Sequence, residues 1–164
     1  MASTGVPEEY DIHPSAVEGM TLAVVSTRWN SKIVDQLRER ALEEARRLGV
    51  KADEYQVDGA LELPVVVQAA AKRYDAVVAL GCVIRGETAH FTYVCQSVTE
   101  GLTRIALDEE IPVGNGVLTV DDEDQAYERS GGEDAKEDKG FEAVRAALGA
   151  AVELRRVRAL PARR

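Results

Sequence analysis

Residues 76–105, AVVALGCVIRGETAHFTYVCQSVTEGLTRI, decide the fold. Ala76 to Leu80 has no polar interruption, and an apolar run of that length marks a strand buried on both faces. Phe91, Val94, Cys95, Val98, Leu102 and Ile105 then recur at helical spacing and form one stripe of a helix over 91–109. Between them, Gly81 to His90 reads as the loop joining strand to helix. Its last residues carry backbone N–H groups without helical partners at the positive end of the helix dipole, which is an anion site by construction. Gly86 permits close backbone approach there, and Thr88 offers both a cap and a hydroxyl donor. The same two residues serve a plain capped turn equally well.

Outward from this segment the alternation repeats. Thr21 to Ser26 reads as a strand, and Ile33, Leu37, Leu42, Ala45 and Leu48 as a helix closed by Gly49 after Arg46 and Arg47. Glu54 to Val57 is the next strand, and Leu63 to Lys72 the next helix. Downstream, Pro112 to Thr119 supplies a strand. Helices over about 122–129 and 138–156 follow, joined by the glycine-rich, acidic stretch Ser130 to Asp138, which reads as flexible. Strands alternating with helices imply a parallel sheet covered on both faces, with right-handed crossovers. Residues 1–20 read as an arm, 21–158 as the domain and 159–164 as a basic tail. Ligands bind such sheets beyond the carboxyl ends of the strands, which directs attention to 27–30, 58–62, 81–90 and 115–119.

Composition bounds the rest. A chain of 164 residues that is 45% apolar suits one domain with an ordinary core. The net charge of −9 speaks against a nucleic-acid binder, which needs a basic face. No run is long enough for a membrane span, and the first residues do not pattern as a leader, so a soluble, cytoplasmic protein is expected. Cys82 and Cys95 lack the spacing of a zinc or disulfide framework. Arg155, Arg156, Arg158, Arg163 and Arg164 read as cations at a helix C-terminus rather than as an anion-binding arm.

Four places carry chemistry. His90, in the first turn of the 91–109 helix, suits proton exchange near neutral pH, and its position at a strand-to-helix edge favours catalysis over a packed or solvent-facing role. Trp29, the single tryptophan, follows the first strand, where an indole either stacks on a planar heterocycle or anchors the helix start. Glu62, with Gly59 and Ala60, forms a strand-to-helix turn able to offer amides and a carboxylate to hydroxyls, although an acidic residue in a first helical turn is ordinary. Arg129 and Lys139 flank the 130–138 stretch as cations able to complete an anion site, or as plain exposed charges. These residues describe a pocket for a phosphate and a ring, without a named reaction.

Gly81 to Cys95 resembles the signature of the lumazine synthase family, a Gly-x-Val-Ile-Arg-Gly-x-Thr-x-His-Phe-x-Tyr-Val-Cys run. Ser26 to Asn30, Gly59 to Pro64, Asn115 to Thr119, Gln125 to Arg129 and Asp138 to Gly140 are similar to further family motifs in the same order, so the resemblance spans about 21–156. It implies a three-layer flavodoxin-like α/β sandwich whose N-terminal arm adds to a neighbouring subunit's sheet. The implied reaction joins 5-amino-6-(D-ribitylamino)uracil to 3,4-dihydroxy-2-butanone 4-phosphate, needing no metal and no cofactor. By the same resemblance Trp29 stacks on the uracil with Asn30 beside it, and Gly59, Ala60, Leu61 and Glu62 hold the ribityl chain. Val83, Ile84 and Asn115 edge the ring. Gly86, Glu87 and Thr88 bind the phosphate, with Arg129 reaching it from an adjacent subunit. His90 transfers protons, and Lys139 stands near the same pocket.

A homopentamer with shared sites is implied, and the length of the 130–138 stretch speaks against closure into a shell. Asp58, Glu87 and Thr92 depart from the pattern. They leave room for a relative that condenses another amine and carbonyl pair, or for a non-catalytic flavin-binding or shell protein. Retention of Thr88, His90 and Arg129 together argues against a shell-only role, because packing alone would not need all three.

Overall fold

The apolar run at 76–80 continues further than its composition suggests. In the computed structural model, which describes residues 11–162, this strand is Ala76–Ile84, and Gly81 to Ile84 pair with Val117 to Val120 of the next strand rather than forming a loop. The strands in chain order are β1 (Thr21–Thr27), β2 (Lys51–Val57), β3 (Ala76–Ile84) and β4 (Val113–Val120). They are all parallel, in the order β2-β1-β3-β4. The helices are α1 (Ser31–Arg47), α2 (Leu63–Ala71), α3 (His90–Glu109), α4 (Glu123–Tyr127) and α5 (Lys139–Arg158). Compared with expectation, β2 starts three residues earlier than Glu54, α4 is shorter, and α5 begins one residue later, with Asp138 as its N-cap.

The order of the strands sorts the helices. The chain steps from β1 to one edge through α1, then reverses and crosses to β3 and β4 through α2 and α3. Crossovers of one hand running in opposite directions fall on opposite faces of a sheet. Accordingly Leu22, Val24, Val78 and Leu80 pack with Val34 and Leu37 of α1 and Val144 and Leu148 of α5. The alternate residues Ala23, Val25, Val77 and Ala79 pack with Val67 of α2 and Val98 and Leu102 of α3. This is the three-layer α/β sandwich that alternation implied. Gly140 is required where α5 crosses α1, because a β-carbon there would overlap the carbonyl oxygen of Leu37. Of the expected α3 stripe, Val94, Val98, Leu102 and Ile105 are buried, whereas Phe91 and Cys95 are only partly covered.

Two segments that composition left loose are held. Ile12, Val17 and Met20 are buried in the same cluster as α5, and Asp11 pairs with Arg47 at 2.8 Å and Arg145 at 3.1 Å. Residues 1–10, and with them the expected addition of an arm to a neighbouring sheet, lie outside the described residues. The 130–138 stretch is also tied down, contrary to its flexible reading. Gly131 N–H donates to Glu137 O at 3.0 Å, Glu137 N–H to Glu128 O at 2.9 Å, and Lys139 N–H to Arg129 O at 3.0 Å. Asp138 accepts from Phe141 N–H at 3.0 Å and meets Arg40 Nε at 2.6 Å, a contact that raises the Arg40 pKa. No helix among the described residues is long and apolar enough to cross a membrane.

Candidate active site

The direction of chain winding reverses between β1 and β3, so the carboxyl ends of these strands part and leave a crevice. A cavity of about 650 Å³ lies there, a size suited to a small-molecule ligand. Three strand ends, with the turns and helix starts that follow them, build it. From the first come Thr27, Trp29 and Asn30; from the second Asp58, Gly59, Ala60, Leu61 and Glu62; from the third Cys82, Val83, Ile84, Gly86, Thr88, His90 and Phe91.

Asn30 sets the first loop. It adopts a left-handed conformation (φ 55°) before α1, and its Nδ2 donates to the Cys82 carbonyl at 2.8 Å, tying the start of α1 to β3. Asn and Asp tolerate that conformation better than other non-glycine residues. Trp29 next to it is 70% exposed, so it is no core residue, and its indole lies against Gly59. In the second loop Glu62 Oε2 accepts the Gly59 N–H at 2.9 Å, which braces the turn and leaves the carboxylate at the cavity wall.

In the third loop, His90 opens α3 and donates its N–H to Thr88 Oγ1 at 3.3 Å, so Thr88 supplies an acceptor one residue before the helix-capping Ala89. Among the described residues nothing accepts the N–H groups of Gly86, Glu87, Thr88 or Ala89, which is the set of donors an anion would take. Arg85 is engaged elsewhere, by Asp121 at 2.6 Å and over the Phe91 ring at 4.2 Å. It lowers the Asp121 pKa by that hydrogen bond and charge, and so is not the partner of the exposed Glu87 carboxylate.

Both cysteines are free. Burial, with a smaller effect from Glu123, pushes the Cys82 thiol up to about 11, and burial raises Cys95, which unsuits both as nucleophiles. Among the described residues no group of three His, Cys, Asp or Glu side chains could hold a metal ion.

Four expected site residues do not line this cavity: Glu87, whose side chain is exposed beside it, and three that stand in other parts of the fold. Asn115 sits within β4, opposite Ala79, with its Oδ1 on Val117 N–H at 3.0 Å. Arg129 gives Nη1 to Gln125 O at 2.8 Å. Lys139 Nζ lies 2.5 Å from Glu137 and 2.7 Å from Glu142. Burial works against the Lys139 charge, yet these two carboxylates outweigh it and hold its pKa above the usual lysine range. Conversely, Thr27, Cys82 and Phe91 line the cavity without having been singled out as site residues. Thr27 had one usable signal, its place at the end of β1.

An exposed indole, a row of free amides and an imidazole around one crevice of a parallel sheet give an α/β domain with a site suited to a small molecule that carries a ring and an anionic group. A model of the 6,7-dimethyl-8-ribityllumazine synthase family matches residues 19–155. The protein of that name from Corynebacterium efficiens is 58% identical over 97% of this chain and 98% of its own length. Those from Thermobifida fusca and Saccharopolyspora erythraea are 53% identical (96% of this chain, 91% of theirs) and 57% identical (88% of each). The chain belongs to the 6,7-dimethyl-8-ribityllumazine synthase family.

Proposed function

We infer that the protein condenses 5-amino-6-(D-ribitylamino)uracil with 3,4-dihydroxy-2-butanone 4-phosphate to give 6,7-dimethyl-8-ribityllumazine and phosphate, a step of riboflavin biosynthesis carried out in the cytoplasm. The observation that carries it is the convergence of Trp29, Gly86 and Thr88 with their free amides, and His90 on one cavity, in a chain whose relatives bear that synthase name. The same names weigh against another amine and carbonyl pair, and against a non-catalytic binding or shell role.

In this reading the uracil stacks on Trp29 beside Asn30, and the ribityl hydroxyls meet Gly59 to Glu62. Val83 and Ile84 edge the ring. The phosphate takes the backbone amides of Gly86, Glu87 and Thr88 together with the Thr88 hydroxyl. The amine attacks the ketone, water leaves as the imine forms, phosphate is eliminated, and the ring closes with loss of a second water. Each step relocates protons, which His90 receives and returns, while the two binding regions supply proximity. No metal or organic cofactor is called for.

Asn115, Arg129 and Lys139 then serve the cavity of an adjacent copy, within a homopentamer whose sites are shared. Their separation from the cavity of their own chain supports this. Mixing both substrates with purified protein and following lumazine absorbance tests the function. Absence of product with both substrates at saturation would reject it.

Glu87 is the position most able to expose a different ligand. Its side chain is exposed and is not part of the cavity lining, so its amide meets the anion while its carboxylate faces solvent. Glu87→Gln is therefore expected to change the KM for the sugar phosphate by only about two- to threefold, because an exposed charge is screened in ordinary salt. Tightening by an order of magnitude or more in the same assay would mean that the carboxylate faces the pocket and that the native ligand carries no phosphate there.

A further inference from the structure

The loops after β1 and β2 are joined by a contact for which the reaction has no use. Arg28 Nη1 lies 2.9 Å from Asp58 Oδ1. Beneath this ion pair the backbones are stitched together. Val57 O accepts Arg28 N–H at 2.9 Å, and Asp58 O accepts the N–H groups of Arg28 at 3.2 Å and of Trp29 at 3.1 Å. The residue after Asp58 is Gly59, and a β-carbon built on it would lie 3.8 Å from Cε3 of the Trp29 ring. The indole therefore rests on the backbone of the second loop, while the residue before it is clamped to the same loop by charge.

The pair is a poor stability device. The two side chains are 55% and 77% exposed, and ion pairs so placed add little to folding. The backbone bonds already hold the loops. What the pair adds is local. Trp29 is 70% exposed, so the described residues cover little of it, and a ring in that setting keeps rotameric freedom that a stacked ligand must remove at a cost in affinity. Asp58 also lines the cavity, where an unpaired carboxylate would add negative charge beside an anion site.

We propose that Arg28 and Asp58 form a clasp that positions Trp29 over Gly59 and thereby sets the affinity for the planar ring substrate. They are positioning residues and act through the indole. The proposal rests on the reading that the uracil stacks on Trp29.

Trp29 is the single tryptophan of the chain, so its emission reports on this ring alone. Asp58→Asn removes the charge and keeps the shape and the backbone bonds. In the ligand-free variant the steady-state anisotropy of Trp29 is expected to fall and its quenching by iodide or acrylamide to rise. The KM for ribitylaminouracil should increase about two- to fivefold, the scale of one exposed ion pair, with a smaller change for the sugar phosphate. The reversed pair Arg28→Asp with Asp58→Arg should restore the anisotropy and the KM. High salt should shift the native protein toward the variant and leave Asp58→Asn where it is. Native anisotropy and quenching in Asp58→Asn would overturn the clasp, as would lowered anisotropy with an unchanged KM for the ring substrate. If the native protein forms no lumazine, the reaction assignment falls by itself, and the Trp29 signal still decides whether the clasp positions the ring.

Discussion

Alanine at His90 is expected to lower kcat on the order of ten- to a hundredfold and to leave both KM values within a few-fold. The side chain is exposed, lines the cavity and makes no hydrogen bond through its ring among the described residues. Its removal therefore breaks no packing and leaves no buried polar group unsatisfied. What disappears is a group able to take and return a proton beside the bound carbonyl. In the proposed reading substrate binding rests on other residues, Trp29 and the loop amides, so the loss is expected in the transition state rather than in the ground state. The residual rate stays well above background because the two reactants are still held together. Steady-state kinetics with each substrate varied at saturating levels of the other measure this directly. A kcat equal to that of the native protein would remove His90 from the mechanism.

The core of the fold was legible because burial on both faces leaves a plain pattern. Ala76 to Leu80 are all fully buried between helices on either side, and no polar residue breaks the run. β2 was half hidden for the opposite reason. It is an edge strand, and of Lys51 to Val57 only Val57 is buried, so its first half carries charges that read as turn. The extension of β3 through Gly81 to Ile84 was masked by a glycine. A β-carbon at Gly81 would come to 3.3 Å from Thr27 Cγ2 and 3.4 Å from Leu63 Cδ1, a tight tertiary fit with no local signature. The order in 130–138 was hidden too. It depends on Asp138 meeting Arg40 from a distant helix, whereas Gly131 and Gly132 among acidic residues look mobile by composition.

The site was legible in outline because a parallel sheet puts the loops after its strands on one edge. Trp29, Glu62, Thr88 and His90 are far apart in the chain and line one cavity. Topology alone predicts that much. The chemistry was not in the spacing, since a capped turn and a phosphate loop share Gly86 and Thr88, and only the extended resemblance around them names a reaction. Wall residues such as Val94 and Cys82 line the same cavity with no chemical mark in the sequence. Nor could spacing tell that Asn115, Arg129 and Lys139 stay outside the cavity of their own chain.

That separation leads to the larger effect expected for Arg129. Arg129→Ala should raise the KM for the sugar phosphate by about tenfold or more, because in the proposed reading a guanidinium paired with the phosphate through charge-assisted hydrogen bonds is replaced by nothing. kcat at saturation should change less. In its own chain the guanidinium is turned back onto Gln125 O at 2.8 Å and lines no part of the cavity, which is why the proposed action on the phosphate is placed across to a neighbouring copy. Mixing subunits distinguishes the two cases. His90→Ala subunits keep Arg129, and Arg129→Ala subunits keep His90. In a one-to-one hybrid, about a quarter of head-to-tail interfaces in a closed ring would join an intact His90 to an intact Arg129. Co-refolded hybrids should then show activity at low sugar phosphate that exceeds the mean of the two separate variants. If both residues instead served the same chain's cavity, every site in the hybrid would carry one lesion. Activity would equal that mean, and the shared site would have to be abandoned.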